Sequence, residues 1–135
     1  MSTLLIRNAE LLVTMDDRRA EIRDGGMFIR DGWIEQVGQS AVLPPDADQI
    51  VDLSGFIVLP GLINTHHHLF QTLHRAAGGT LDSDLVGWLK AIYPKWAGMT
   101  PENVRLATEI GLAELALSGC TTVADHHYLW PNGNV

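Results

Sequence analysis

His66, His67 and His68 stand in a row at the end of the run Leu59-Pro60-Gly61-Leu62-Ile63-Asn64-Thr65. Val58, Leu59, Leu62 and Ile63 are aliphatic, so the segment reads as a buried strand, with Pro60-Gly61 turning into it and the histidines at its C-terminal end. Side chains alternate across a strand, which puts His66 and His68 on one face and His67 on the other. Two imidazoles at i and i+2 can close on a single metal ion, and neutral imidazole suits zinc and iron. The C-terminal ends of parallel strands are also where α/β sheets and barrels build their sites. The bland alternatives are a solvated loop or a tag scar, and an internal position directly after a strand argues against a tag. His66 and His68 are the candidate metal ligands.

A second polar cluster closes a later strand. Cys120-Thr121-Thr122-Val123-Ala124-Asp125 reads as a strand, and His126-His127-Tyr128 follows it. Alternation directs one of His126 and His127 toward the mouth of a site and the other away. A substrate or outer role and a plain structural role both stay open for them. Asp125 is placed to orient a histidine ligand, as carboxylates often do, but its side depends on register. His67 and His74 read as local packing or hydrogen-bonding residues. Cys120, the single cysteine, reads as a small buried apolar residue.

Helices must connect these strands. Gln71 to Gly79 shows little periodicity and reads as a loop. Leu85, Trp88, Leu89 and Ile92 recur at i, i+3, i+4 and i+7, one face of a helix with Asp82 or Ser83 as N-cap. Pro94 is expected to stop it near Ile92-Tyr93. Thr100-Pro101-Glu102 opens a second helix with N-cap, first-turn proline and an acid at the positive dipole end. Ser118-Gly119 closes it. Strand, helices and strand make one βαβ unit, which implies a parallel sheet. Pro131-Asn132-Gly133-Asn134-Val135 reads as a final loop.

The N-terminal part reads as short strands. Leu4-Leu5-Ile6 and Leu11-Leu12-Val13 come first, then a polar turn at Asp16-Asp17-Arg18-Arg19. Met27-Phe28-Ile29-Arg30 and Trp33-Ile34-Glu35-Gln36-Val37 flank Asp31-Gly32, a two-residue type I′ hairpin signal. After a loop at Pro44-Pro45-Asp46, Gln49–Leu53 and Phe56–Val58 complete what is expected to be a small antiparallel sheet. Nothing in it carries catalytic chemistry, and it reads as a support domain.

Composition narrows the class. The 135 residues are 46% hydrophobic and 19% charged, ordinary for a soluble globular chain. Nine Lys+Arg stand against sixteen Asp+Glu, a net charge of −7 without a basic cluster, which disfavours nucleic acid and anionic membranes as partners. One cysteine excludes an intrachain disulfide and suits a reducing compartment. Met1 to Arg7 has no signal-peptide pattern, and no apolar run is long enough to span a bilayer. The expected location is cytoplasmic.

The stretch from Pro60 through His66-His67-His68 to His74-Arg75, with the second anchor Leu117-Ser118-Gly119-Cys120-Thr121-Thr122-Val123-Ala124-Asp125-His126-His127-Tyr128, resembles the amidohydrolase superfamily. Within it, the branch that deaminates or dechlorinates aromatic N-heterocycles is the nearest in pattern. The resemblance implies an α/β fold: residues 1–58 as the N-terminal half of a small β-sandwich, and residues 59–135 as the first strands and helices of a TIM-like (β/α)8 barrel, incomplete. It implies one divalent metal, zinc with iron as an alternative, on His66 and His68. Water made nucleophilic by the metal would attack a ring carbon bearing an amino group, and ammonia would leave. The implied substrate is a purine-type base, 8-oxoguanine favoured, with guanine, triazine or pterin as alternatives.

By the same resemblance, Gln71 hydrogen-bonds the heterocycle, since an amide matches the mixed donor and acceptor edge of a lactam-containing base. Trp88 is either core or an aromatic wall, as in related triazine hydrolases. Trp96 stands where S-adenosylhomocysteine deaminases of this branch carry a glutamate suited to a ribose, which points to a free base rather than a nucleoside. The later-strand histidines, the last-strand aspartate and the glutamate acid/base of the family have no matching position here, so no general acid or base is assigned. A chain ending after a second barrel strand reads as a fragment, a homo-oligomer when full length. By itself it is expected to be without turnover and aggregation-prone. An inactive truncated remnant is the rival reading.

Overall fold

The computed structural model describes residues 1–131. It comprises two compact units, Met1–Pro60 and Gly61–Val135. Beyond Pro131, the final loop expected from the sequence lies outside the described residues.

The first unit is a five-stranded sheet of β1 (Thr3–Val13), β2 (Glu21–Arg30), β3 (Trp33–Gln39), β4 (Gln49–Asp52) and β5 (Ile57–Val58). The two short strands expected at Leu4–Ile6 and Leu11–Val13 are one strand. Its register against β2 slips between Ile6 and Ala9, where Asn8 takes a positive φ of 62°. Asparagine tolerates that left-handed geometry, so the chain bulges instead of breaking. The hairpin expected at Asp31-Gly32 is present, with φ of 47° and 83° at the two turn residues, as a type I′ turn requires.

The sheet is mixed rather than antiparallel. β2 is antiparallel to both β1 and β3, whereas β4 and β5 run parallel to β1. The reason lies in the connection after β3. Residues 40–48 carry the chain back across the sheet with Leu43 buried against Leu5 and Phe28. Asp48 then pins the start of β4 to the start of β1, accepting from the Thr3 N–H at 2.7 Å and the Thr3 hydroxyl at 2.9 Å.

The second unit contains β6 (Leu62–His67), a 3-10 helix (Leu69–His74), α1 (Leu85–Trp96), α2 (Pro101–Leu117) and β7 (Cys120–Asp125). β6 and β7 pair in parallel, as the βαβ reading requires. Gln71 to His74, expected in a loop, belongs to the 3-10 helix, which is too short for periodicity to register. The N-cap of α1 is Asp84, one or two residues later than expected, and its carboxylate accepts from the Gly87 N–H at 2.7 Å. Pro94 does not end α1. It lies in the last turn, and the helix continues to Trp96. The buried Trp96 anchors that turn, so packing outweighs the missing proline N–H. α2 opens with a reciprocal capping box between Thr100 and Asn103 and closes before Gly119, whose φ is 84°.

The core of this unit is Phe70, Ile92, Trp96 and Met99, with Trp88, Val104, Ala77 and Leu129 packed around it. β6 is not a buried strand. Leu62 and Ile63 are more than half exposed, because β7 pairs only one edge of β6 and its faces carry little cover among the described residues. Cys120 is likewise only partly buried, its thiol directed at the Thr122 carbonyl. Among the described residues no helix is long and apolar enough to cross a membrane.

Candidate metal centre

β6 ends at His67, and His66 within it and His68 just after it converge. The Nε2 atoms of His66 and His68 lie 3.2 Å apart, with the rings edge to face. Two nitrogens bound to one tetrahedral zinc at 2.0–2.1 Å stand roughly 3.3 Å apart, so the pair fits a shared metal ion. The His68 ring is held by its other nitrogen. Nδ1 lies 2.7 Å from the backbone carbonyl of His126, and a carbonyl can only accept. Nδ1 therefore carries the proton, which leaves Nε2 with the lone pair that a metal ligand needs. His126 also stacks its ring on His66 at 4.2 Å between centroids. Two imidazoles are part of a ligand set, and among the described residues no group of three or more His, Cys, Asp or Glu side chains gathers into a metal site.

The end of β7 makes this arrangement. The His126 N–H donates to the His67 carbonyl at 2.7 Å, extending the strand ladder past Asp125. Asp125 Oδ1 accepts from the Leu69 N–H at 2.9 Å, and its Oδ2 stands 3.8 Å from His127 Nδ1. The carboxylate thus holds the backbone after His68 rather than the imidazole itself. Of the adjacent pair, His126 faces the histidine cluster, while His127 turns away and donates Nε2–H to the Leu129 carbonyl. His67 and His74 each bury an Nδ1 without a hydrogen-bond partner.

Beside the histidines lies a cavity of about 380 Å³, open to solvent. Gln71, Trp88 and Trp96 all border it, together with His66, His68 and Arg75. Trp88 is half-buried and packs edge to face on Trp96, so it is both core and wall. Trp96 is 2% exposed, and its indole N–H is buried without a partner. Its inward position follows from the continuation of α1 past Pro94. Arg75 is engaged by Glu114, which raises the guanidinium pKa above its ordinary value.

Tyr128 is the residue that sequence reasoning passed over. Its hydroxyl accepts from Gln71 Nε2 at 3.0 Å, and its ring stands edge-on to His68 at 5.3 Å between centroids. Burial pushes the phenol pKa up. Continuing the strand alternation beyond Asp125 puts Tyr128 on the side of His126, and that signal could have found it.

The amidohydrolase family model matches residues 57–131. The 8-oxoguanine deaminase of Pseudomonas aeruginosa is 48% identical over 98% of this chain, which covers 29% of that enzyme. An isoxanthopterin deaminase from an unknown prokaryotic organism is 38% identical over 96% of the chain and 27% of the enzyme. Among solved structures, the atrazine chlorohydrolase of Arthrobacter aurescens TC1, complexed with zinc, superposes with a TM-score of 0.86 at 33% identity, over 92% of this chain and 28% of its own. The chain therefore spans less than a third of the length of the relatives it matches. The family match covers more than half of the sequence and takes in the histidine strand, both helices and the second strand, and the chain belongs to the amidohydrolase family.

Proposed function

We infer that the intact protein is a metal-dependent aminohydrolase that removes the amino group from a purine-type base, with 8-oxoguanine as the preferred substrate. The observation that carries this reading is the His66–His68 pair, whose Nε2 atoms meet at 3.2 Å with the His68 tautomer set by the His126 carbonyl. His66 and His68 would hold the ion, zinc before iron. A divalent metal there supplies an activated water at neutral pH.

This chain's own residues bind and orient. Gln71 presents an amide to the ring edge from the cavity wall, and Trp88 and Trp96 supply flat apolar surface beside it. The proton-transfer groups belong to further polypeptide, as does the rest of the barrel that β6 and β7 would begin. The first unit would form part of a supporting sandwich. The acidic net charge supports a small neutral heterocycle over nucleic acid or membrane as partner, and a cytoplasmic, homo-oligomeric enzyme is the setting we adopt.

Similarity to the 8-oxoguanine deaminase favours the oxidised purine. Similarity to the isoxanthopterin deaminase keeps a pterin as the second reading. Ammonia release by the intact protein from 8-oxoguanine, guanine and isoxanthopterin decides between them. The expected order is 8-oxoguanine first, with activity lost on chelation. Isoxanthopterin turned over faster than either purine replaces the purine reading, and no ammonia from any of the three removes the aminohydrolase reading.

A further inference from the structure

The geometry points to Asp125 as a positioning residue for the metal ligand His68, acting through the backbone and not through the imidazole. This rests on the metal reading of His66 and His68. His68 sits at the junction where β6 gives way to the 3-10 helix, with backbone angles of −130° and 79° that belong to neither element. The 3-10 helix holds it by one bond, from the Gln71 N–H to the His68 carbonyl at 2.9 Å, and three contacts from the end of β7 set the rest. The His126 N–H binds the carbonyl before it, the His126 carbonyl binds its Nδ1–H, and Asp125 Oδ1 binds the N–H of Leu69 after it.

Two of these contacts are made by His126 backbone atoms, which truncation of the His126 side chain leaves in place. The third is the Asp125 side chain. It closes the clamp on the far side of His68, spanning 56 residues of sequence. Without it, the Leu69 amide loses its acceptor and the junction after His68 loosens against the bonds that remain, letting Nε2 drift from the Nε2 of His66. What matters in this scheme is an acceptor oxygen at Oδ1. Its charge is secondary, because the group it meets is a neutral amide. The other oxygen reaches only to His127 at 3.8 Å.

The test is cobalt(II) and zinc titration of the intact apo-protein, reading the visible d–d band of cobalt and competing with a chromophoric chelator. Asp125→Ala is expected to weaken both metals by about 10–100-fold, the usual range for groups that orient a ligand, and to change the d–d band. Asp125→Asn keeps the oxygen and is expected to stay within about threefold of the parent. If Asp125→Ala does not fold, Asp125→Ser, whose hydroxyl is too short to span to Leu69, carries the same expectation. Parental affinity in the alanine or serine variant overturns the inference. So does an asparagine variant as weak as the alanine, which would make charge the cause. His68→Ala is the control: unchanged metal binding there overturns the metal reading, and the inference with it.

Discussion

The Gln71 amide donates to the Tyr128 hydroxyl across 3.0 Å, tying the helix that follows one candidate ligand to the segment that follows His126. With one Nε2 hydrogen engaged, Oε1 and the second Nε2 hydrogen are left for a ligand. Burial raises the Tyr128 pKa, so the phenol stays protonated through neutral and mildly alkaline solution and keeps a hydrogen to donate. Tyr128→Phe removes the acceptor and lets the amide turn. We expect KM for 8-oxoguanine to rise about three- to tenfold, equivalent to ~0.7–1.4 kcal/mol, the worth of one neutral hydrogen bond. The value of kcat should hold within about twofold. Steady-state kinetics of the intact protein decide it: a fall in kcat at unchanged KM would remove Tyr128 from substrate positioning.

In the proposed metal centre His66 and His68 would chelate one ion, so each would depend on the other. His66→Ala and His68→Ala should each lower zinc affinity by more than the about 10–100-fold typical of outer groups, and the double variant should add little. Metal content after dialysis against a chelator measures this. Stoichiometric zinc retained in both single variants would mean that the ion is held elsewhere.

Gly111 on α2 is where that helix meets the 3-10 helix. A Cβ there would stand 2.8 Å from both Leu69 Cδ2 and Thr72 Oγ1. Two effects of Gly111→Ala oppose each other. Alanine improves helix propensity by about 1 kcal/mol, while overpacking costs about 1–3 kcal/mol. Because Thr72 is also fixed by its hydroxyl bond to the Leu69 carbonyl, steric strain should win, with a net loss of roughly 0–2 kcal/mol. The displaced segment carries the Leu69 amide, so zinc affinity should fall too. Denaturant unfolding and zinc titration test both halves. A variant stabilised by the full propensity gain, with parental zinc affinity, would show that the contact yields freely.

Local signals were legible where one residue type answers one local demand. Asp31-Gly32 needed two positive φ values, Thr100-Pro101 needed a helix start, and alternation anticipated the approach of His66 and His68, though His68 lies just past the end of β6. What stayed hidden depended on partners distant in sequence. The parallel pairing of β4 with β1 hangs on Asp48 and Thr3, 45 residues apart. Pro94 inside α1 is tolerated because Trp96 is anchored by Phe70 and Met99, which local propensity cannot see. The Gln71–Tyr128 bond and the Asp125 clamp join positions more than fifty residues apart. Exposure of Leu62 and Ile63 was hidden for a related reason: an aliphatic strand pattern states what a face prefers, not what covers it.

Asp52 gives a pH prediction in the first unit. Its carboxylate accepts from the Ser54 hydroxyl at 2.6 Å, the Ser54 N–H at 2.9 Å and the Asn8 side-chain amide at 2.6 Å, which together pull its pKa down to about 2. The bond to Asn8 links the end of β4 to the bulge of β1. Since the folded pKa lies below the unfolded one, the unfolded chain takes up the proton first as pH falls. The contribution is therefore complete above about pH 4 and is lost between there and about pH 2. Solvent exposure keeps it small. Asp16 and Asp48 are also held below their ordinary values, so acid weakens the unit by more than one route. Asp52→Asn separates them, because its amide has no proton to gain while the other two carboxylates still titrate. Thermal melts from about pH 6 to about pH 2 should show the parent and Asp52→Asn curves converging in the last two units. A constant gap between the curves through that window would mean that Asp52 does not couple protonation to folding.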